Sequence, residues 1–167
     1  RAFKYVDGTM TSLGVLTGGS YSYAYGVSSD GSVIAGHSGS TDGTRAFKYV
    51  DGTMTSLGTL TGGSLSYAYG VSSDGSVIVG YSGSTDGNRA FKYVDGTMTS
   101  LGTLTGGSLS YAYGVSSDGS VIVGYSGSTD GRRAFIYRNV MLDVTNTTTA
   151  LATTGSQLHS ILNYKNN

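Results

Sequence analysis

The chain has 167 residues, a formal net charge of zero and ten acidic side chains that are all aspartate, with no proline, cysteine or tryptophan. The lack of cysteine excludes disulfides and thiolate metal sites, and the balanced charge argues against nucleic-acid binding and against docking on an anionic membrane. The 28 glycines and 14 tyrosines favour strands and turns over helices.

The sequence is organised as a repeat of 44 residues. The tripeptide Arg-Ala-Phe recurs at this interval, beginning at Arg1, Arg45, Arg89 and Arg133. The repeats cover 1–44, 45–88, 89–132 and, in part, 133–144. We therefore predict a repeat domain over 1–144 and a separate tail or linker over 145–167, where the pattern is lost.

Each repeat contains two predicted β-hairpins. In the second repeat the first hairpin joins 46–50 to 53–57, and the second hairpin joins 67–72 to 77–81. Both reverse at an Asp-Gly pair, which favours a tight turn because glycine adopts positive φ freely and the aspartate side chain can hydrogen-bond nearby backbone. The flanking β-branched and aromatic residues are typical of strands.

The alternation of side chains predicts how each hairpin packs. In the first hairpin, Phe47 points to one face and Lys48 to the other, as in a half-buried strand. In the second hairpin, Tyr67, Tyr69 and Val71 share one predicted face and small residues occupy the other. Because both faces of this hairpin are suited to contact, we expect the repeats to stack on one another.

A four-stranded antiparallel unit of 44 residues matches the size of a β-propeller blade, so we predict an all-β, propeller-like fold. The alternative is a β-solenoid in which each repeat forms two coils, 45–66 and 67–88. Seven hairpins amount to three and a half blades, whereas a closed propeller usually needs at least about four. The chain is then a piece of a longer protein, a subunit that self-associates to complete a ring, or an open stack.

The tail carries a weaker signal for a short helix. Apolar residues recur there at spacings that would line one side of a helix, at Leu151, Leu158, Ile161 and Leu162. We expect this helix to seal the last blade or to lead into another domain.

The repeat resembles the HAF family of extracellular repeats, named for a His-Ala-Phe tripeptide. The matching stretches of the second repeat are 46–49, 57–63, 67–72 and 74–82, and arginine stands where the family has histidine. The segments 141–144, 150–152 and 157–163 resemble the linker that precedes the outer-membrane barrel of bacterial autotransporters with such repeats. The resemblance implies a surface-exposed passenger, extracellular or on the bacterial outer membrane, with repeat-mediated binding or scaffolding and no catalytic residues.

Nine of the ten aspartates are directly followed by glycine, and turn formation accounts for them. They are Asp7, Asp30, Asp42, Asp51, Asp74, Asp86, Asp95, Asp118 and Asp130. Calcium binding is the less favoured alternative, because the ion usually takes six to eight oxygens and each loop offers one carboxylate. We predict no metal and no cofactor.

Catalysis is disfavoured because the only histidines are His37, which replaces a tyrosine of the sister repeats, and His159 in the polar part of the tail. The glycine-rich 61–64 segment reads as a connector. One tyrosine series suits packing between blades more than stacking against sugars: Tyr23, Tyr25, Tyr67, Tyr69, Tyr111 and Tyr113. Repeated lysines, predicted on a solvated outer face, are Lys4, Lys48 and Lys92.

The sequence therefore predicts a non-enzymatic repeat module that acts as a structural spacer or an adhesive passenger. Its expected partners are a host or cell-surface protein or glycan, and not nucleic acid. The alternative is a lectin that binds glycans at equivalent sites, once per repeat.

Overall fold

A computed structural model describes residues 1–144. It contains fourteen strands and is all-β in this range, as predicted. In chain order they are β1 (Ala2–Val6), β2 (Thr9–Gly14), β3 (Ser22–Val27), β4 (Ile34–Ser40), β5 (Gly43–Val50), β6 (Thr53–Ser56), β7 (Ser66–Val71), β8 (Ile78–Ser82), β9 (Arg89–Val94), β10 (Thr97–Ser100), β11 (Ser110–Val115), β12 (Ile122–Ser128), β13 (Gly131–Tyr137) and β14 (Met141–Asp143). The helix predicted in 145–167 lies outside the described residues.

The strands form one two-stranded and three four-stranded antiparallel sheets. The first sheet is β1–β2, and the full sheets follow as β3–β4–β5–β6, β7–β8–β9–β10 and β11–β12–β13–β14. Each full sheet contacts the next, and the first strands β3, β7 and β11 contact one another in turn. This is a propeller-like stack of three and a half blades. A solenoid coil would pair its strands in parallel with the next coil, and these sheets are antiparallel within each blade.

A blade does not coincide with a repeat that begins at Arg-Ala-Phe. Each full sheet pairs the second hairpin of one repeat with the first hairpin of the next, as β4 with β5. A tight turn through Thr41 and Asp42 makes this connection, closing on the pair Ser40 and Gly43. One set of Asp-Gly turns therefore joins two hairpins into a single sheet, and the remaining two sets close the hairpins themselves.

The turns of the first hairpin show why Asp-Gly is used there. Asp51 has a φ of +48° and Gly52 a φ of +82°, so both central residues are left-handed, which defines a type I′ turn. Its twist matches the right-handed twist of the two strands that it connects. Asp7 and Asp95 adopt the same conformation in the sister hairpins.

A β-bulge in the first strand of each full sheet changes the face of the sheet to which the later side chains of that strand point. In β7, Ala68 pairs with Gly80 and Gly70 pairs with Val79, so that Tyr69 is the extra residue. Val71 consequently pairs with Ile78 and packs in the apolar cluster that contains Ala68. The prediction that Val71 shares a face with the tyrosines was wrong, because strict alternation does not hold across a bulge.

Apolar side chains form one cluster at each junction between neighbouring sheets. Between the second and third sheets, Ala35 and Ala46 from one side meet Ile78 and Phe91 from the other. The equivalent junction between the third and fourth sheets uses Val79, Ala90, Ile122 and Phe135. Phe47, Phe91 and Phe135 are all almost completely buried. Burial at the junctions is the main stabilising contribution, since no sheet buries both of its faces alone.

Buried serines connect neighbouring sheets by hydrogen bonds. The Ser66 hydroxyl accepts a hydrogen bond from the Ala46 amide at 2.8 Å and donates one to the Gly58 carbonyl at 2.5 Å. Ala46 lies in β5 and Ser66 in β7, so this pair of bonds joins two blades. Ser22 and Ser110 form the same two bonds at the other junctions. We call these three residues the serine clamps.

A second set of buried serines holds the connectors between blades. The Ser82 hydroxyl in β8 accepts a hydrogen bond from the Leu60 amide at 2.9 Å and donates to the Leu65 carbonyl at 3.1 Å. Both partners flank the glycine-rich 61–64 segment, which is thereby tied down as a connector. The Arg45 guanidinium adds a bond from its Nη1 to the Ser64 carbonyl at 2.7 Å.

Candidate binding surface

Ten aromatic rings form a continuous array across the three full sheets, which we call the aromatic ribbon. It consists of Tyr21, Tyr23, Tyr25, His37, Tyr67, Tyr69, Tyr81, Tyr111, Tyr113 and Tyr125. Each sheet supplies two rings from its first strand and one from its second, and Tyr21 precedes the first of these strands. The bulge places two tyrosines of one strand beside the same second-strand ring, as Tyr67 and Tyr69 lie beside Tyr81.

The rings contact one another within and between sheets. Within the third sheet, Tyr67 stacks on Tyr81 with ring centroids 4.9 Å apart and an interplanar angle of 11°. Between sheets, Tyr81 lies 4.5 Å from Tyr111, and Tyr69 lies 5.2 Å from Tyr113. Offset and tilted pairs at such distances are favourable for aromatic rings. The tyrosine series of the sequence is thus used in contacts between blades.

The ribbon is more exposed at its two ends than in its middle. Tyr23 and Tyr25 are each 53% exposed and Tyr113 is 48% exposed, whereas Tyr69 is half-buried between neighbours on both sides. Burial, followed by repulsion from Tyr113 and other phenols, raises the pKa of Tyr69 to about 12. Burial likewise raises the pKa of Tyr81. The hydroxyls of Tyr69 and Tyr81 are therefore neutral at physiological pH, and amphipathic rings are exposed at each end of the ribbon.

Polar groups lie next to the exposed ends. The Tyr21 hydroxyl hydrogen-bonds the Thr44 hydroxyl at 2.6 Å, and the guanidinium carbon of Arg132 lies 5.4 Å from the centroid of the Tyr125 ring. An apolar ring face flanked by hydroxyls and one cation suits sugar stacking or contact with a polar protein surface. These ends of the ribbon are the candidate binding surface.

His37 takes the place of a tyrosine inside the ribbon. Its ring lies 4.5 Å from Tyr67 and 5.1 Å from Tyr23, and the residue is only 7% exposed. Its Nδ1 atom is buried and has no hydrogen-bond partner. Burial lowers the pKa of His37 and keeps the ring neutral. His37 lies in β4 at the position where the sister repeats have tyrosine, and its ring is a member of the ribbon.

The aspartates of the second hairpins stabilise their own turns. Asp74 Oδ1 accepts hydrogen bonds from the Ser72 hydroxyl at 2.6 Å, the Ser76 amide at 3.0 Å and the Ser76 hydroxyl at 2.8 Å. These bonds, that from Ser72 first, hold the pKa of Asp74 at about 2. Asp30 and Asp118 have the same environment and the same pKa. Among residues 1–144 there is no group of three or more acidic, histidine or cysteine side chains arranged to hold a metal ion.

The repeated lysines do not share one environment. Lys4 is exposed, as predicted for a solvated face, but Lys48 and Lys92 are half-buried. Lys92 Nζ lies 5.9 Å from the centroid of the Tyr137 ring in the next sheet, a cation–π geometry. Both half-buried lysines lie on the third strand of a full sheet, which is paired on both sides. They therefore do not protect an edge strand. His159 lies outside the described residues.

Sequence reasoning missed the serine clamps and the second-strand ribbon members. The signal was present, because Ser66 and Ser82 recur at equivalent positions in each repeat. A small polar residue in a strand, however, does not by itself reveal which backbone groups it meets in a neighbouring blade. Along the described part of the chain, no helix is both long and apolar enough to cross a membrane.

No family model and no curated protein sequence matches this chain. Among solved structures, the chain is similar to TolB from Acinetobacter baumannii, with a TM-score of 0.58 and 15% sequence identity. The match covers 81% of this chain but only 34% of that chain. At this identity the similarity concerns the fold alone, and it supports the propeller-like arrangement of the sheets.

Proposed function

We propose that the protein is a non-enzymatic, surface-exposed repeat module that acts as a structural spacer or an adhesive passenger. The observation that carries this proposal is the repetition of one blade junction, with a serine clamp and an apolar cluster each time. Such a module extends by addition of equivalent units, as in other repeat proteins. The resemblance to HAF repeats agrees with an extracellular or outer-membrane location.

The side chains that often perform chemistry are used here for architecture. The aspartates of the second hairpins bind their own turns, and the buried serines bind backbone groups of the neighbouring blade. The exposed ends of the aromatic ribbon remain available to a partner. Tyrosine is enriched at protein interfaces because its ring is apolar and its hydroxyl is polar, so an adhesive role would use these ends.

Adhesion can be tested with beads coated with the full chain and applied to host cells. We expect bead binding to fall several-fold when Tyr23 and Tyr25 are both changed to serine. The control is Val140→Ser, since Val140 is 48% exposed and lies outside the ribbon. Failure of the unmodified beads to bind would refute the adhesive role, and equal loss in the control would refute the assignment to the ribbon.

The second candidate function is glycan binding, which is favoured by exposed rings with adjacent hydroxyl and guanidinium groups. A glycan array probed with the full chain tests it directly. A lectin should bind a defined set of sugars and lose them in the Tyr23→Ser, Tyr25→Ser variant. Silence across the array would refute the lectin and leave the spacer as the function.

A further inference from the structure

The hairpin β13–β14 turns differently from the three equivalent hairpins, which all use Asp-Gly. In β9–β10 the tyrosine and the methionine that pair beside the turn are separated by 94–97, whereas in β13–β14 they are separated by 138–140. The loop of β13–β14 is therefore one residue shorter, and it reads Arg-Asn-Val in place of Val-Asp-Gly-Thr. This exchange removes a carboxylate from the turn and adds a guanidinium.

The exchanged loop forms part of a pocket between the third and fourth sheets. Lys92 of β9 lines the pocket from the third sheet, and 119–122 and 137–139 line it from the fourth sheet. Its volume of about 390 Å³ lies within the range of small-molecule sites. Both sheets have all four strands, so the walls of the pocket belong to two full blades. The pocket has no residue in common with the aromatic ribbon.

Two cationic side chains line the pocket, Lys92 and Arg138. Lys92 is half-buried, and its Nζ lies 5.9 Å from the centroid of the Tyr137 ring, so its ammonium is partly removed from water. Among the lining residues that the structure describes, none is acidic, and the sequence of 145–167 has no acidic side chain either. Because removal of a charge from water is costly, a partly buried cation is stabilised by a counterion. The pocket therefore suits an anion supplied from outside the chain.

The sister junction shows what the exchange does to the local charge. Between the second and third sheets, the residues 44 positions earlier are Lys48, Val94 and Asp95, which combine one cation with one carboxylate. The pocket has two cations instead, and an amide in place of the carboxylate. Asp118 flanks the pocket and accepts hydrogen bonds from the serines of its own turn. It does not alter the comparison, because Asp74 flanks the sister junction in the same way.

We propose that this pocket binds an oxyanion, the carboxylate or sulfate group of an acidic sugar or of a free small anion. The Lys92 ammonium and the Arg138 guanidinium donate charge-assisted hydrogen bonds to the bound group, and the Asn139 amide donates a third bond. Such bonds are about twice as strong as those between neutral groups. An aspartate at the position of Asn139 would repel the same ligand. The site goes beyond the functions proposed above and does not depend on the aromatic ribbon.

The test is an NMR titration of the isotope-labelled full chain at constant ionic strength. The probes are sodium sulfate, sodium glucuronate and, as the neutral sugar, glucose. We expect the backbone amide signals of 119–122 and 137–139 to shift saturably with both anions and to stay unchanged with glucose. Tighter binding of glucuronate than of sulfate would identify an acidic sugar as the ligand, and the reverse order would identify a free anion.

The matched variants change the charge of one loop at a time. Arg138→Val combined with Asn139→Asp gives the loop the charges of its sisters and should weaken the binding of both anions about tenfold or more. Lys92→Gln should weaken it similarly, because it removes the cation from the opposite wall. Arg132→Asn is the control, since it removes one exposed cation of the same sheet outside the pocket and should leave binding unchanged.

Three results would overturn the proposal. The first is the lack of saturable shifts with either anion, and the second is an equal response to glucose. The third is anion binding that is unaffected by the variants at Arg138 and Asn139, or that falls as much in Arg132→Asn. Dispersed amide signals in every variant will show that the chain remains folded, so that a loss of binding is a property of the pocket.

Discussion

Replacement of Ser66 by alanine tests whether the serine clamps hold the blades together. Ser66 is completely buried, and its hydroxyl bonds the Ala46 amide at 2.8 Å and the Gly58 carbonyl at 2.5 Å. Alanine leaves the buried Ala46 amide and the partly buried Gly58 carbonyl without this partner, and a buried polar group left unpaired costs about 1–3 kcal/mol. We therefore expect the free energy of unfolding to fall by about 2–4 kcal/mol.

Urea unfolding followed by circular dichroism measures this loss. The matched control is Ser64→Ala two residues earlier, because Ser64 is exposed and should change stability by no more than about 0.5 kcal/mol. Ser110→Ala removes the same pair of bonds at the next junction and should cost as much as Ser66→Ala. A loss in Ser66→Ala as small as that in Ser64→Ala would refute the role assigned to the clamps.

Three further predictions concern the strands, the turns and the ribbon. Gly80→Ala should destabilise the protein by about 2 kcal/mol or more in urea unfolding, because its Cβ would meet the Tyr67 carbonyl, whereas Gly83→Ala, with its nearest neighbour 3.5 Å away, should be tolerated. The pKa of about 2 at Asp30, Asp74 and Asp118 lies below the ordinary 3.8, so their stabilisation is present above about pH 4 and is lost as pH falls towards 2. In the variant that has asparagine in place of all three aspartates, the melting temperature should depend less on pH over that range. A pH dependence equal to that of the unmodified protein would contradict this. Burial lowers the pKa of His37 below 6.5, so the unfolded chain gains the proton first and stability falls as pH drops below about 6.5. His37→Tyr, which restores the residue of the sister repeats, should remove that fall in a thermal melt at pH 5, and a variant that still loses stability there would show that His37 is not its source.

The period of 44 residues and the Asp-Gly pairs were sufficient to predict both hairpins, the all-β class and the propeller-like unit. These features depend on local backbone preference, and a sequence read along its length reports local preference well. The bulge at Tyr69 was not predictable in the same way, because Gly70 suits regular and bulged strands alike. The half-burial of Lys48 and Lys92 was also not predicted. Alternation separates the two faces of a strand but does not show which face contacts another blade.

The sequence by itself determined the repeat, the turn positions and the tyrosine spacing, because each depends on residues that are neighbours along the chain. Only the tertiary structure decided that a sheet combines hairpins from two successive repeats, as β4 with β5. It alone also decided that Ser66 binds Ala46 and Gly58, and that Tyr81 meets Tyr111. The physical reason is that these contacts join different hairpins or blades, as with Ala46 and Ser66, which are 20 positions apart. They therefore depend on how twisted sheets stack and not on the preference of any one segment.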